Sequence, residues 1–290
     1  MAGIFHNFPG LDDAAAAVAG TFSAPEMRAM RALAQRPNAS LEVMEWAILR
    51  NENRASKEPA SLGAAWTAAS LASWVCSGAD RVFHWGLGSR GLAPLVNRSG
   101  DGRRVQFFEQ HYWNMALLEL FVGGRARFTT LALPVGRNHT IAVIESVQEG
   151  DTYYALIAAL GADRAHAFET EVELALPRAH SVMLGRGAVQ QWRFDGSVSV
   201  VETLLAELKD RDGMLALDDG LPYDFPTLLT AAGKAYAEQP ANLERYWAMH
   251  TATFQPSPFQ GTWTAQPGHG TTFHVPVTAP SVTVIAARLQ

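Results

Sequence analysis

The stretch LEVMEWAILRNEN, residues 41–53, sets Glu45 near the tip of an apolar run, places Trp46 directly after it, and then turns polar. A strand-like segment carrying a carboxylate at that point has two readings. Glu45 is an ordinary charge at a strand end, or it is one half of a catalytic carboxylate pair held rigid by the strand behind it. The residues on either side separate the two.

Upstream, GIFHNFP reads as a short strand ending at Pro9. A helix follows, with Ser23 and Glu26 at capping-box spacing and Pro25 in its first turn; it stops near Arg36. LEVMEWA is then a strand and PASLGAAWTAASLASWVCSGA a long small-residue helix. DRVFHWGL is a third strand, and VQFFEQHYWNMALLELFVGG reads as a helix closed by Gly123 and Gly124. This β-α-β-α-β-α order over residues 1–124 argues for parallel strands covered by helices. Glu45, Trp46, His84 and Trp85 fall at the C-terminal ends of two of these strands, the end where (β/α) barrels place their chemistry.

From residue 125 the pattern changes. RARFTTLAL, HTIAVIESV, TYYALIAAL and FETEVELAL are strand-like runs separated by Gly, Asp, Asn and Arg. GTTFHVPV and SVTVIAARL close the chain, and the spacing predicts an antiparallel β-sandwich over residues 125–290. VETLLAELKD, FPTLLTAAGKAYAE and NLERYWAMH predict a helical insertion at about 199–250. The fold class read from the sequence is therefore α/β plus β.

Composition sets the bounds. The chain has 290 residues, 48% hydrophobic and 18% charged, enough for a sizeable core in one large domain or two ordinary ones. A net charge of −5 gives no basic footprint for nucleic acid. Cys76 alone makes neither a disulfide nor a cysteine-based zinc site and reads as a small core residue. No apolar run reaches the roughly 18 residues of a membrane span, and MAGIFHNFPGLDD lacks the segments of a signal peptide. The chain is expected to be soluble, and its compartment stays open. Glycosylation triplets at Asn38, Asn97 and Asn138 arise too often by chance to carry weight.

LEVMEWAILRNEN, GADRVFHWGLGSRGLAPL and FFEQHYWNMALLELFVGG together resemble the last part of a clan A glycoside hydrolase, nearest to the family 39 β-xylosidases and α-L-iduronidases. The resemblance implies the C-terminal part of a (β/α)8 barrel, about strands six to eight, running into a sandwich. It puts Glu45 at the nucleophile position and Trp46 beside it. It makes Trp85 an aromatic floor for the sugar, and His6, in FHNFP, a pocket residue. It implies a carbohydrate substrate, hydrolysis of O-glycosyl bonds with retention, and no cofactor or metal. The family's acid/base, an Asn-Glu pair at strand four, has no counterpart before His6. Asn51-Glu52 follows strand seven and reads as a solvated loop. The chain is thus expected to be an incomplete enzyme, with the missing N-terminal half of the barrel as its partner. The alternative is a non-catalytic carbohydrate-binding or interaction protein derived from such an enzyme.

A retaining glycosidase needs two carboxyl groups about 5–5.5 Å apart, one attacking the anomeric carbon and one protonating the leaving oxygen. Other chemistries fit less well. Glu109 and His111 are two apart on a predicted helix and share no face. His139, His166, His180, His269 and His274 lack ligand spacing. GLGSRG, residues 86–91, has no helix after it for a phosphate loop, and Ser89 does not fit a nucleophile elbow.

Overall fold

The computed structural model describes residues 3–5, 42–46, 61, 64, 65, 67–69, 71, 79–84, 96–98, 105–108, 121, 125–132, 140–148, 152–160, 168–176, 182, 187–215, 229–266 and 270–290. The capping-box helix expected after Ser23, the loop at Glu52, the GLGSRG segment and the residues Glu109, His111 and Glu119 lie outside them.

Three short strands, β1 (Gly3–Phe5), β2 (Glu42–Trp46) and β3 (Arg81–His84), form one sheet in the order β1-β2-β3. Both pairings are parallel. Parallel neighbours need long crossovers, and the described residues between 61 and 71, in the second crossover, are helical. Ala64, Ala65, Ala68 and Ala69 are buried there, a spacing of one and four that makes a small-residue stripe on one face of the helix.

One expectation is overturned nearby. Val105–Phe108 was expected to begin a helix with Phe108 on its apolar face. It is instead a strand, β5, paired antiparallel with β4 (Val96–Arg98). The physical reason is local: SGDGR between the two runs is turn chemistry, and a β-branched and aromatic run on its far side favours a hairpin over a helix start.

The second half is built from antiparallel sheets. The larger has six strands in the order β11-β10-β14-β8-β7-β6. These are β6 (Arg125–Ala132), β7 (Thr140–Gln148), β8 (Thr152–Leu160), β10 (Val189–Asp195), β11 (Ser257–Pro258) and β14 (Ser281–Arg288). The smaller has the order β12-β13-β9, from β9 (Glu169–Ala175), β12 (Thr262–Gln266) and β13 (Gly270–Thr278). Alternation explains the pairing of the two faces. Val172 and Leu174 of β9 and Phe273, Val275 and Val277 of β13 face one core with Ile141, Val143, Tyr153, Ala155, Ile157 and Ile285 of the larger sheet. Tyr153 stacks on Phe273 with ring centroids 5.8 Å apart, and Phe259 meets Phe273 edge-on. Each such buried side chain contributes about 1.5–3 kcal/mol of transfer free energy.

On β9 the opposite positions, Glu169, Glu171 and Glu173, are exposed. This strand is an edge, and charges at every second residue discourage a further strand from adding to it. The larger sheet is buried on its other face as well: Ile144, Leu156, Leu160, Val282 and Val284 are at most 1% exposed. That accounts for the almost uninterrupted apolar character of TYYALIAAL and SVTVIAA, which alternation alone would not give. Phe121 meets Tyr154 on this face at 5.9 Å.

Between β10 and β11 the described residues form three helices, α1 (Val200–Lys209), α2 (Ala231–Ala237) and α3 (Pro240–Thr253); Leu229, expected within the second helix, instead forms a β-bridge with Leu215. Ser199 caps α1 by accepting from the Glu202 amide, Thr230 caps α2 through the Gly233 amide, and Pro240 opens α3. Their shared core is Val200, Val201, Leu204, Leu208, Leu229, Ala237 and Tyr246.

Candidate functional sites

At the parallel sheet, the backbone register places Phe5 opposite Glu45 and Trp46 opposite His84. The C-terminal ends of all three strands therefore lie side by side, with Glu45 and Trp46 on the central one. His6 and Trp85, the next residues after β1 and β3 in the chain, fall outside the described residues. The sheet brings the positions of Glu45, Trp46 and His84 together at one end.

A second site was not anticipated from sequence. A cleft of about 1010 Å³ opens where the sandwich meets the helices. One wall is β10. Gln191, Arg193 and Asp195 alternate along it on the face that Val189 gives to the core. Arg193 Nη2 donates to Thr278 Oγ1 at 3.0 Å, and Arg193 Nε lies 2.6 Å from Asp195 Oδ2. Asp195 Oδ1 accepts from the Ser197 amide at 2.9 Å and from its hydroxyl. Gln191 Oε1 accepts from the Gln260 amide at 3.2 Å. Leu205, Met249 and Ala252 supply an apolar wall from α1 and α3.

Glu202 stands at the end of this cleft. Its sequence context, Ser199-x-x-Glu202, is a capping box, in which the glutamate ordinarily returns to the cap residue's own amide. Here that amide bonds the Asp195 carbonyl instead, and Glu202 Oε1 accepts from the Ser61 amide at 2.6 Å. Ser61 is the first of the described helical residues between 61 and 71, so Glu202 ties the helical insertion to that stretch.

The helices carry a further ionic cluster. Glu207 Oε2 accepts from Tyr246 at 2.6 Å, from Arg245 at 2.6 Å and from Tyr236 at 3.3 Å. Burial pushes the Glu207 carboxyl up, but the hydrogen bonds from Arg245 and Tyr246 outweigh it, so its pKa ends below the ordinary value. Burial and the bond to Glu207 raise the Tyr246 phenol. Arg211 lies over the Tyr236 ring and Arg245 over the Tyr246 ring. On α3, His250 is 8% exposed, with Trp247 and Phe254 rings beside it. Burial lowers its pKa to about 4. These groups hold the helices together and are not among the described residues lining the cleft beside β10, which is the arrangement of a structural network. Among the described residues no three His, Cys, Asp or Glu side chains are grouped to hold a metal ion.

No protein-family model matches the sequence, and no curated relative matches it significantly. Among solved structures, a GH39 enzyme from Xanthomonas axonopodis pv. citri aligns with 91% of this chain at 13% identity and a TM-score of 0.46, a weak likeness. The alignment covers 48% of that enzyme, so this chain spans about half its length.

The cleft was missed because its residues come from distant segments, joining Glu169, β10, α3 and Gln260. A signal was nonetheless present. QQWRFD sets Gln191, Arg193 and Asp195 at alternate positions of a strand whose first residue on that face, Val189, is apolar, and such a strand is expected to open onto something other than core.

Proposed function

We propose that this chain belongs to a retaining glycoside hydrolase of family 39 type, hydrolysing O-glycosyl bonds of an oligo- or polysaccharide. Residues 1–124 supply the last strands of a (β/α)8 barrel, and residues 125–290 the sandwich with its helical insertion. Glu45 is the nucleophile, and His6, Trp46 and Trp85 line the sugar site. The observation that carries the reading is the parallel order β1-β2-β3 with Glu45 and Trp46 at the tip of the central strand. Strand tips of a parallel sheet are where such enzymes hold reacting groups.

In this mechanism the Glu45 carboxylate attacks the anomeric carbon while a second carboxyl group protonates the departing oxygen. A covalent glycosyl ester forms at Glu45. The second group then takes a proton from water, which displaces Glu45 and restores the original configuration. Flat tryptophan faces at positions 46 and 85 would pack on the ring's C–H face and exclude bulk water. No residue of this chain is assigned as the acid/base. Turnover without one is expected to be about 10²–10⁴-fold slower.

The test is chemical rescue in the natural full-length product. Glu45→Gly should abolish turnover of an aryl glycoside, and added azide should restore it, releasing a glycosyl azide of inverted configuration. Wild-type turnover in Glu45→Gly would overturn the assignment.

A further inference from the structure

We infer that the cleft between β10 and the helices is a second ligand site, and that it takes a neutral, hydroxyl-rich ligand, a short oligosaccharide. The two sheets differ in width. The six-stranded layer is packed by a layer of three strands. Val189, at the start of β10, contributes to the sandwich core, while Gln191, Arg193 and Asp195, further along the same face, line the cleft. Apolar residues would close that gap at lower cost. Instead the strand holds an amide, a guanidinium and a carboxylate, of which Gln191 is only 3% exposed. The departure from the local pattern is the mark of a site rather than of a core.

Two buried hydroxyl groups, behind the cleft's own lining, continue the polar character of this face. Ser281 and Thr283 lie opposite Asp195 and Arg193 in the register, so all four share a face. Ser281 Oγ and Thr283 Oγ1 are buried without a hydrogen-bond partner among the described residues, while Arg193 Nε is paired with Asp195 Oδ2 at 2.6 Å. The groups that do have partners are fixed by them: Arg193 by Thr278, Asp195 by Ser197, Gln191 by Gln260. Donors and acceptors held in place before binding cost little to reorganise.

The ligand class follows from three features. The polar wall presents donors and acceptors together, and Leu205, Met249 and Ala252 face it. A sugar ring has the same division, hydroxyls at its edge and C–H groups on its face. Among the described lining residues the charges are Glu169, Asp195 and Glu202 against Arg193, which disfavours phosphates and uronic acid chains. The volume, about 1010 Å³, is at the upper end of the roughly 300–1,000 Å³ typical of small-molecule sites, larger than one sugar needs.

This inference does not depend on Glu45, and the test keeps the two apart. The full chain is titrated with xylotriose, cellotriose and maltotriose, with trigalacturonate and inorganic phosphate as anionic controls. Calorimetry reads affinity, and backbone amide shifts read location. One neutral trisaccharide should saturate, shifting Gln191, Arg193, Ser197 and Gln260. Arg193→Met should weaken it by about tenfold or more. Ala252→Trp, at an exposed position on α3 that lines the cleft, should do the same by filling the space. Glu45→Gln should leave cleft affinity unchanged. The inference is overturned if no neutral trisaccharide saturates, if an anionic control binds more tightly, or if Ala252→Trp folds and binds as well as wild type. Cleft binding with failed azide rescue would remove the glycosidase reading and leave this one standing.

Discussion

Protonation of His250 should loosen the helical insertion. Its ring is buried between Trp247 and Phe254, and burial lowers its pKa from 6.5 to about 4. The unfolded segment therefore takes up a proton near pH 6.5, while the folded one resists until about pH 4. Because the unfolded state binds more protons in that window, stability rises with pH across it. The contribution is complete above pH 6.5, falls as the pH drops toward 4, and falls no further below that. Each tenfold difference in proton affinity is worth about 1.4 kcal/mol, so the whole span amounts to about 3 kcal/mol. The assay is urea unfolding at several values between pH 7.5 and pH 4, combined with hydrogen exchange of α1 and α3 amides. The protection of those helices should decline over the window while amides of β8 and β14 change less. His250→Leu should remove the decline. A flat pH profile in the wild type, or an unchanged slope in His250→Leu, would refute the reasoning.

Glu207 acts in a lower window. Its folded pKa is depressed, so its stabilisation is present above the ordinary carboxylate value near 4.5 and is lost as pH falls through the folded value. Glu207→Gln should cost about 1–3 kcal/mol at pH 7, mainly through the bond to buried Tyr246, and should flatten acid unfolding below pH 4.5. Gly233→Ala should also destabilise the insertion, visible as a lower urea midpoint. A Cβ there would stand 2.2 Å from the Met214 carbonyl oxygen, backbone that the Thr230 amide and hydroxyl already hold.

Much of the sandwich was legible because alternation in its strands is nearly undisturbed. FETEVELAL gives exposed glutamates and buried Val172 and Leu174 at the alternate positions of a strand. The hairpin at Val105–Phe108 was misread because an apolar run without a clear period fits helix and strand alike until its turn is weighed. Strand β10 escaped notice for the opposite reason. Gln191, Arg193 and Asp195 look solvated in sequence, and only the uneven width of the two sheets shows what they face. Glu202's bond to Ser61, 141 positions away, has no local signature.

Labelling of Glu45 tests its role as nucleophile. The natural full-length product is incubated with a mechanism-based fluoroglycoside, digested, and its peptides weighed. The account predicts one added sugar, on the peptide carrying LEVMEWAILR, with fragmentation placing it at Glu45. A fully folded, unlabelled protein, or a label on any other carboxylate, would contradict it.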